Sequence, residues 1–143
     1  MEYRAPDLTE QENFFGIEVP FMRLIGLRPC RIGSDECVTF LPIRHDLINS
    51  QGNMHGGTLL SVLDFTMSAA ARSHEPYCFS VATINLNTQF LEYARKDITI
   101  VGKCIKRGKS ISFCEGAVKT EGGRIIATAT GVFKLFALPK SGV

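Results

Sequence analysis

One stretch of the chain concentrates residues able to do chemistry: Asn49, Gly52, His55, Gly56 and Gly57, with Asp64 seven positions later. Gly56 and Gly57 stand where a helix begins. The first turn of a helix carries unpaired N–H groups at the positive end of its dipole. Glycine lets a ligand approach that backbone closely, which suits an oxyanion or a polarised carbonyl; turn geometry alone would equally explain the pair. Asp64 is the only charged residue between His55 and Arg72. An unpaired carboxylate in an apolar helix is costly to bury, which marks it as a candidate base or nucleophile. Pairing with Arg72, or access to solvent, would also account for it. Asn49 can orient a water or a carbonyl and His55 can donate or shuttle a proton, and either could instead cap the helix or satisfy loop backbone.

The elements that must position these residues follow from periodicity. The 143 residues make one domain. Leu27 to Ile32 and Cys37 to Ile43 read as strands around the turn Gly33-Ser34-Asp35. A polar loop spans Arg44 to Asn53. Thr58 to Arg72 then lacks Pro and internal Gly and is apolar nearly all round, the pattern of a buried helix, about 22 Å long. Val81 to Tyr93, Ile98 to Lys106, Ser110 to Lys119 and Arg124 to Ala137 read as further strands, with hairpin turns at Arg107-Gly108-Lys109 and Glu121-Gly122-Gly123. The last strand alternates, with Ile125, Ala127, Ala129, Phe133 and Leu135 on one face. Upstream, Leu8 to Phe15 suggests a short helix with Thr9 as N-cap and Glu12 three residues on; residues 1–20 are otherwise the least patterned part. Five or six strands and one wholly buried helix predict an α+β domain, a curved antiparallel sheet wrapped around the helix. Any face left open must meet a partner, so the chain is expected to be at least a dimer.

Composition excludes several classes. A net charge of +2 is too mild for a nucleic-acid-binding face. The N-terminus has no basic region followed by an apolar run, so no signal peptide is read. The longest apolar segment, residues 56–71, is too short and holds Asp64, against a membrane span. Five scattered cysteines without a CxxC pair suit reduced thiols in the cytoplasm. His45, His55 and His74 match no usual zinc spacing, so no metal is expected.

Asn49-x-x-Gly52-x-x-His55-Gly56-Gly57 followed by Asp64 resembles the PaaI-type hotdog-fold acyl-CoA thioesterases, a likeness running loosely from about Phe21 to the C-terminus. The resemblance implies the hotdog fold and hydrolysis of acyl-CoA, aliphatic or aryl, with coenzyme A as part of the substrate and no separate cofactor. It implies that Gly56, helped by Gly57, binds the thioester carbonyl. Asp64 is then general base or nucleophile, Asn49 holds water or carbonyl, and His55 sits near the leaving sulfur. Thr83, at the start of the strand after the helix, could hold the attacking water or be an ordinary strand threonine. The resemblance also implies that the two sides of one site come from different subunits, in a homodimer at least and a dimer of dimers by expectation. For the CoA phosphates the resemblance points to Arg95 and Lys96, in a loop where Tyr93 replaces the family's Pro and no Gly precedes Asp97. Lys106, Arg107 and Lys109 are the other candidates, although a solvated turn explains them as well. A hotdog dehydratase or hydratase, or a non-catalytic acyl-CoA-binding subunit, remains the alternative.

Overall fold

The computed structural model describes residues 13–139. In chain order they form α1 (Pro20–Ile25), β1 (Arg28–Gly33), β2 (Glu36–Leu41), a single 3-10 turn (His45–Leu47), α2 (Gly56–Ala71), β3 (Phe79–Phe90), β4 (Ile98–Arg107), β5 (Ile111–Lys119) and β6 (Ile125–Ala137). The strands make one sheet in the order β1-β2-β4-β5-β6-β3, and every neighbouring pair is antiparallel. The β1–β2 hairpin turns at Ser34 and Asp35, whose φ values of 52° and 65° are the double left-handed geometry that matches strand twist. α2 touches all six strands, so the sheet curves around it. This is the hotdog arrangement that the resemblance implies.

The helix lies almost backbone-on-backbone against the sheet. Gly102 and Gly116 face each other across β4 and β5. A Cβ on Gly102 would stand 2.7 Å from the Thr66 carbonyl oxygen, and one on Gly116 3.0 Å from Met67 Cγ. At Gly102 only hydrogen fits, Gly116 is tight against side chains, and Leu63, Met67, Ile100 and Val118 close the core around the contact. Thr39 and Thr66 share a buried hydroxyl hydrogen bond of 2.8 Å, which registers β2 against α2. At the helix C-terminus Arg107 donates to the carbonyls of Ala70 and Ala71 at 3.3 and 3.1 Å and pairs with Asp35 at 2.7 Å. A cation there opposes the negative end of the dipole.

Three expectations need correction. The helix expected over Leu8 to Phe15 falls mostly outside the described residues, Thr9 and Glu12 included, and Phe14 and Phe15 are bends. The short helix lies later, at α1, opened by Pro20 and closed by Gly26 at φ 88°. α2 is not wholly buried. It starts two residues early, and Gly57, Leu60, Ser61, Asp64 and Ser68 form a stripe that is exposed or half-buried, because one open sheet cannot enclose a cylinder. In β6 Ala127, Ala129, Phe133 and Leu135 are buried as expected, but at the start of the strand Ile126 is buried and Ile125 is 43% exposed, since a bulge opposite Val118 and Lys119 inserts one residue there.

Gly102→Val should therefore force the helix off the sheet and destabilise the fold by about 1–3 kcal/mol, read as a lower unfolding midpoint. Gly122→Ala, where a Cβ meets only Thr120 Oγ1 at 4.0 Å, serves as control. Equal midpoints for the two would show that the contact is not tight.

Candidate active site

The loop before α2 is built by its own polar side chains. Asn49 Oδ1 accepts from the N–H groups of Gln51 and Asn53 at 2.9 and 3.1 Å, and Met54 N donates to Ala94 O at 2.7 Å. The Asn49 oxygen is thus committed to the loop, and its NH2 group is what it can offer a ligand. His55 is the N-cap of α2: its Nδ1 accepts from Gly57 N at 2.8 Å. That bond requires an imidazole without a proton on Nδ1; in the neutral ring the proton is then on Nε2. Gly57 is consequently not the second donor to a carbonyl that the sequence suggested. The Gly56 N–H, at the first position of the helix, makes no hydrogen bond among the described residues. Among the described residues the free donor at the positive end of α2 is Gly56.

Two turns on, Asp64 is half-buried, and Thr83 Oγ1 donates to its Oδ1 at 2.6 Å. Thr83 lies on β3, an edge strand, beside a bulge at Ile84 in its pairing with β6. The threonine fixes one carboxylate oxygen and leaves the other for a water. Pairing with Arg72 does not occur: the Arg72 guanidinium donates to the carbonyls of Phe15, Pro76 and Phe14, and burial holds its pKa below the usual arginine value. Asp64 and Thr83 open into a cavity of about 340 Å³ lined mainly by apolar groups, among them Val19, Met22, Phe65, Phe79 and Val81. Eight residues of helix separate Gly56 from Asp64, about 12 Å of axial rise. Both groups must come within about 3 Å of one reacting centre to act on it, so Gly56 and Asp64 of a single chain cannot serve the same carbonyl.

The remaining candidates separate. Arg95 Nε donates to Asn53 Oδ1 at 2.7 Å, and its guanidinium lies 5.9 Å from the Tyr93 ring centre. With Lys96 it lines a cavity of about 900 Å³ that also presents Glu92, Asp97, Glu121 and Arg124. Lys106, Arg107 and Lys109 sit on the β4–β5 hairpin, at the opposite end of α2 from Gly56. There Arg107 is occupied by helix carbonyls and Asp35, whereas Lys106 and Lys109 are exposed. Burial pushes the Cys37 thiol up to about 12, and burial with Cys104 alongside raises Cys114; neither is a ready nucleophile. Among the described residues no group of three or more His, Cys, Asp or Glu side chains is placed to hold a metal.

The thioesterase superfamily model matches residues 51–127, which include His55, Gly56, Gly57, Asp64 and Thr83. The chain belongs to the thioesterase superfamily. It is 24% identical over 131 residues to TV1331 of Thermoplasma volcanium, a provisionally named esterase, covering 91% of this chain and 97% of that one. Among solved structures it resembles the conserved protein PA5202 of Pseudomonas aeruginosa (TM-score 0.80, 24% identity, 92% of this chain and 100% of the other). It also resembles the E. coli PaaI protein of the phenylacetic acid degradation operon (TM-score 0.76, 15% identity, 82% and 85%). These likenesses are of hotdog fold, and superfamily membership makes the protein a thioester or ester hydrolase. If Asp64 carries the reaction, the Thr83 hydroxyl is placed to position its carboxylate. Thr83→Ala should lower kcat by about 10-fold or more, the worth of a hydrogen bond to a charged group, with little change in KM, and Thr83→Ser should restore most of it. Full activity in Thr83→Ala would remove that role.

Proposed function

We propose that the protein hydrolyses acyl-CoA thioesters to free acid and CoA in a site shared by two copies of the chain. The observation that carries this is the placement on α2 of one free main-chain donor, Gly56 N–H, and one hydroxyl-anchored carboxylate, Asp64, too far apart to work together within one chain. In the shared site the thioester oxygen accepts from Gly56 N–H of one copy. Asp64 of the partner subunit either takes a proton from an attacking water or attacks the carbonyl itself to give a mixed anhydride that water then opens. In both routes the C–S bond breaks and the thiolate leaves. The Nε2–H of His55, the N-cap of that helix, and the NH2 of Asn49, in the loop that leads into it, are the donors offered to the leaving sulfur and the water. The acyl group occupies the apolar cavity beside Asp64.

The second copy has a natural seat. β3 is a 12-residue edge strand, and Ile84, Phe90, Leu91 and Tyr93 on or just after it are more than half exposed. An open edge with apolar side chains favours strand pairing with another chain, and a dimer of dimers would cover the outer sheet face. No separate cofactor is needed for the reaction. No described helix is long and apolar enough to cross a membrane, and the five unpaired thiols suit a cytoplasmic setting.

Two variants test the shared site. Asp64→Asn keeps the shape and removes the base; it should lower kcat by about 10²-fold or more. Gly56→Pro deletes the single N–H at a position where helices accept proline. His55 already has the extended φ of −59° and ψ of 138° that a residue before proline prefers. This variant should also lose about 10²–10³-fold. Co-expressed, the two should recover about a quarter of wild-type activity, because half of randomly mixed dimers are hybrids and each hybrid holds one intact site. Two inactive variants without recovery would place the working groups within one chain, and an active Asp64→Asn would remove the carboxylate from the reaction.

A further inference from the structure

The carrier of the acyl group is addressed by a second cavity that superfamily membership does not assign. It lies beside α1 and the start of β1, has a volume of about 810 Å³, and is lined by Arg23, Arg28, Arg44, Asn13, Phe15 and Tyr77 with Gly16, Gly26, Leu27 and Pro29. Arg28 and Arg44 face it together with Arg23, and among the described residues no acidic side chain lines it. The cavity at Arg95 and Lys96 is different: there Glu92, Asp97 and Glu121 balance Arg95, Lys96 and Arg124, and Arg124 is already paired with Glu92 at 2.8 Å.

The arginine cavity is built rather than incidental. Arg44 Nη2 donates to Leu24 O at 2.6 Å, and a Cβ on Gly26 would stand 3.2 Å from Arg44 Nη1. The guanidinium is thereby laid across the end of α1, with its other N–H groups uncommitted to any carboxylate among the described residues. Arg28 is exposed and forms no ion pair among the described residues. Tyr77 is seated against Gly16, whose φ of 89° and missing side chain make room: a Cβ there would come within 2.3 Å of the ring. The fixed Arg44 fork suits phosphate, and a held aromatic ring suits a purine. The volume is that of a site for a ligand of nucleotide size.

Arg44 also ties this cavity to the reaction. It lines the adjoining cavity of about 560 Å³ that contains His55, Gly57, Thr58 and Ser61. A thioester held at the N-terminus of α2 can therefore run its thiol arm past Arg44 toward the other arginines. We propose that the Arg23–Arg28–Arg44 cavity receives the 3′-phosphorylated ADP end of coenzyme A, so that the free CoA ester, and not an acyl group on a carrier protein, is the substrate. This rests on the acyl-CoA reading above. A carrier protein would present a phosphopantetheine arm with one phosphate and no adenine, and would leave Arg28 and Tyr77 unused.

The test compares one acyl group on CoA and on pantetheine, with wild type, Arg28→Glu and Lys96→Glu. Arg28→Glu should raise KM for the CoA ester by about 10-fold or more, the worth of one charge-assisted contact, with kcat unchanged. Unchanged turnover of the pantetheine ester by the same variant shows that it is folded. Adenosine 3′,5′-bisphosphate should compete with the CoA ester on wild type and lose that effect on Arg28→Glu. An unchanged KM in Arg28→Glu, an equal rise for both esters, or a rise in Lys96→Glu alone would overturn the assignment while leaving hydrolysis intact. Wild type that cleaves neither ester would overturn the acyl-CoA reading, and this proposal with it.

Discussion

The seating of α2 on the sheet through Gly102 and Gly116 is the constraint on which the rest depends. At Gly102 the strand meets the helix backbone at Thr66, at Gly116 it makes room for the Met67 and Leu63 side chains, and the buried Thr39–Thr66 pair sets the helix position along β2. What the sheet cannot cover is the stripe of Gly57, Leu60, Ser61, Asp64 and Ser68. The groups able to do chemistry lie along or beside that uncovered side, at a spacing dictated by helical rise.

The two ends of α2 are treated differently. At the C-terminus, Arg107 neutralises the carbonyls of Ala70 and Ala71 and is itself held by Asp35. At the N-terminus, His55 takes one N–H and leaves that of Gly56. A capped negative end and an open positive end leave the dipole free to act on an incoming oxygen. The carboxylate is controlled from another element, by a hydroxyl on the edge strand. Any second chain that pairs with β3 is then close to Thr83 and, through it, to Asp64.

Much of this was legible in the residues. Strand runs with glycine turns between them gave six strands to within a few positions. The unbroken apolar run after His55 marked the helix, and Asp64 stood out as its only charge. Other features needed three dimensions. Proline at the head of α1 and Gly26 at its end are readable helix signals, but α1 is only 6 residues, too short for periodicity to show. In β6 the expected inward face holds at Ala127, Ala129, Phe133 and Leu135 and fails only at Ile125, because a bulge leaves no mark in a hydrophobic pattern. Arg107 looked like a free cation in a turn, and only the fold shows that it is bound to the end of α2. Arg23, Arg28 and Arg44 are spread over 22 positions of sequence and converge only when α1 folds back beside β1. The capture of Gly57 by His55 was likewise unreadable, since a glycine pair at a helix start does not say which N–H remains open.

The most direct measurement is a crystal structure with an acyl-CoA analogue in which a methylene replaces the thioester sulfur, leaving a ketone that cannot be hydrolysed. The account predicts the ketone oxygen at hydrogen-bond distance from Gly56 N of one chain, with the carboxylate of Asp64 from a second chain across the carbonyl carbon. A ketone bound away from Gly56, or held by Gly56 and Asp64 of one and the same chain, would contradict it.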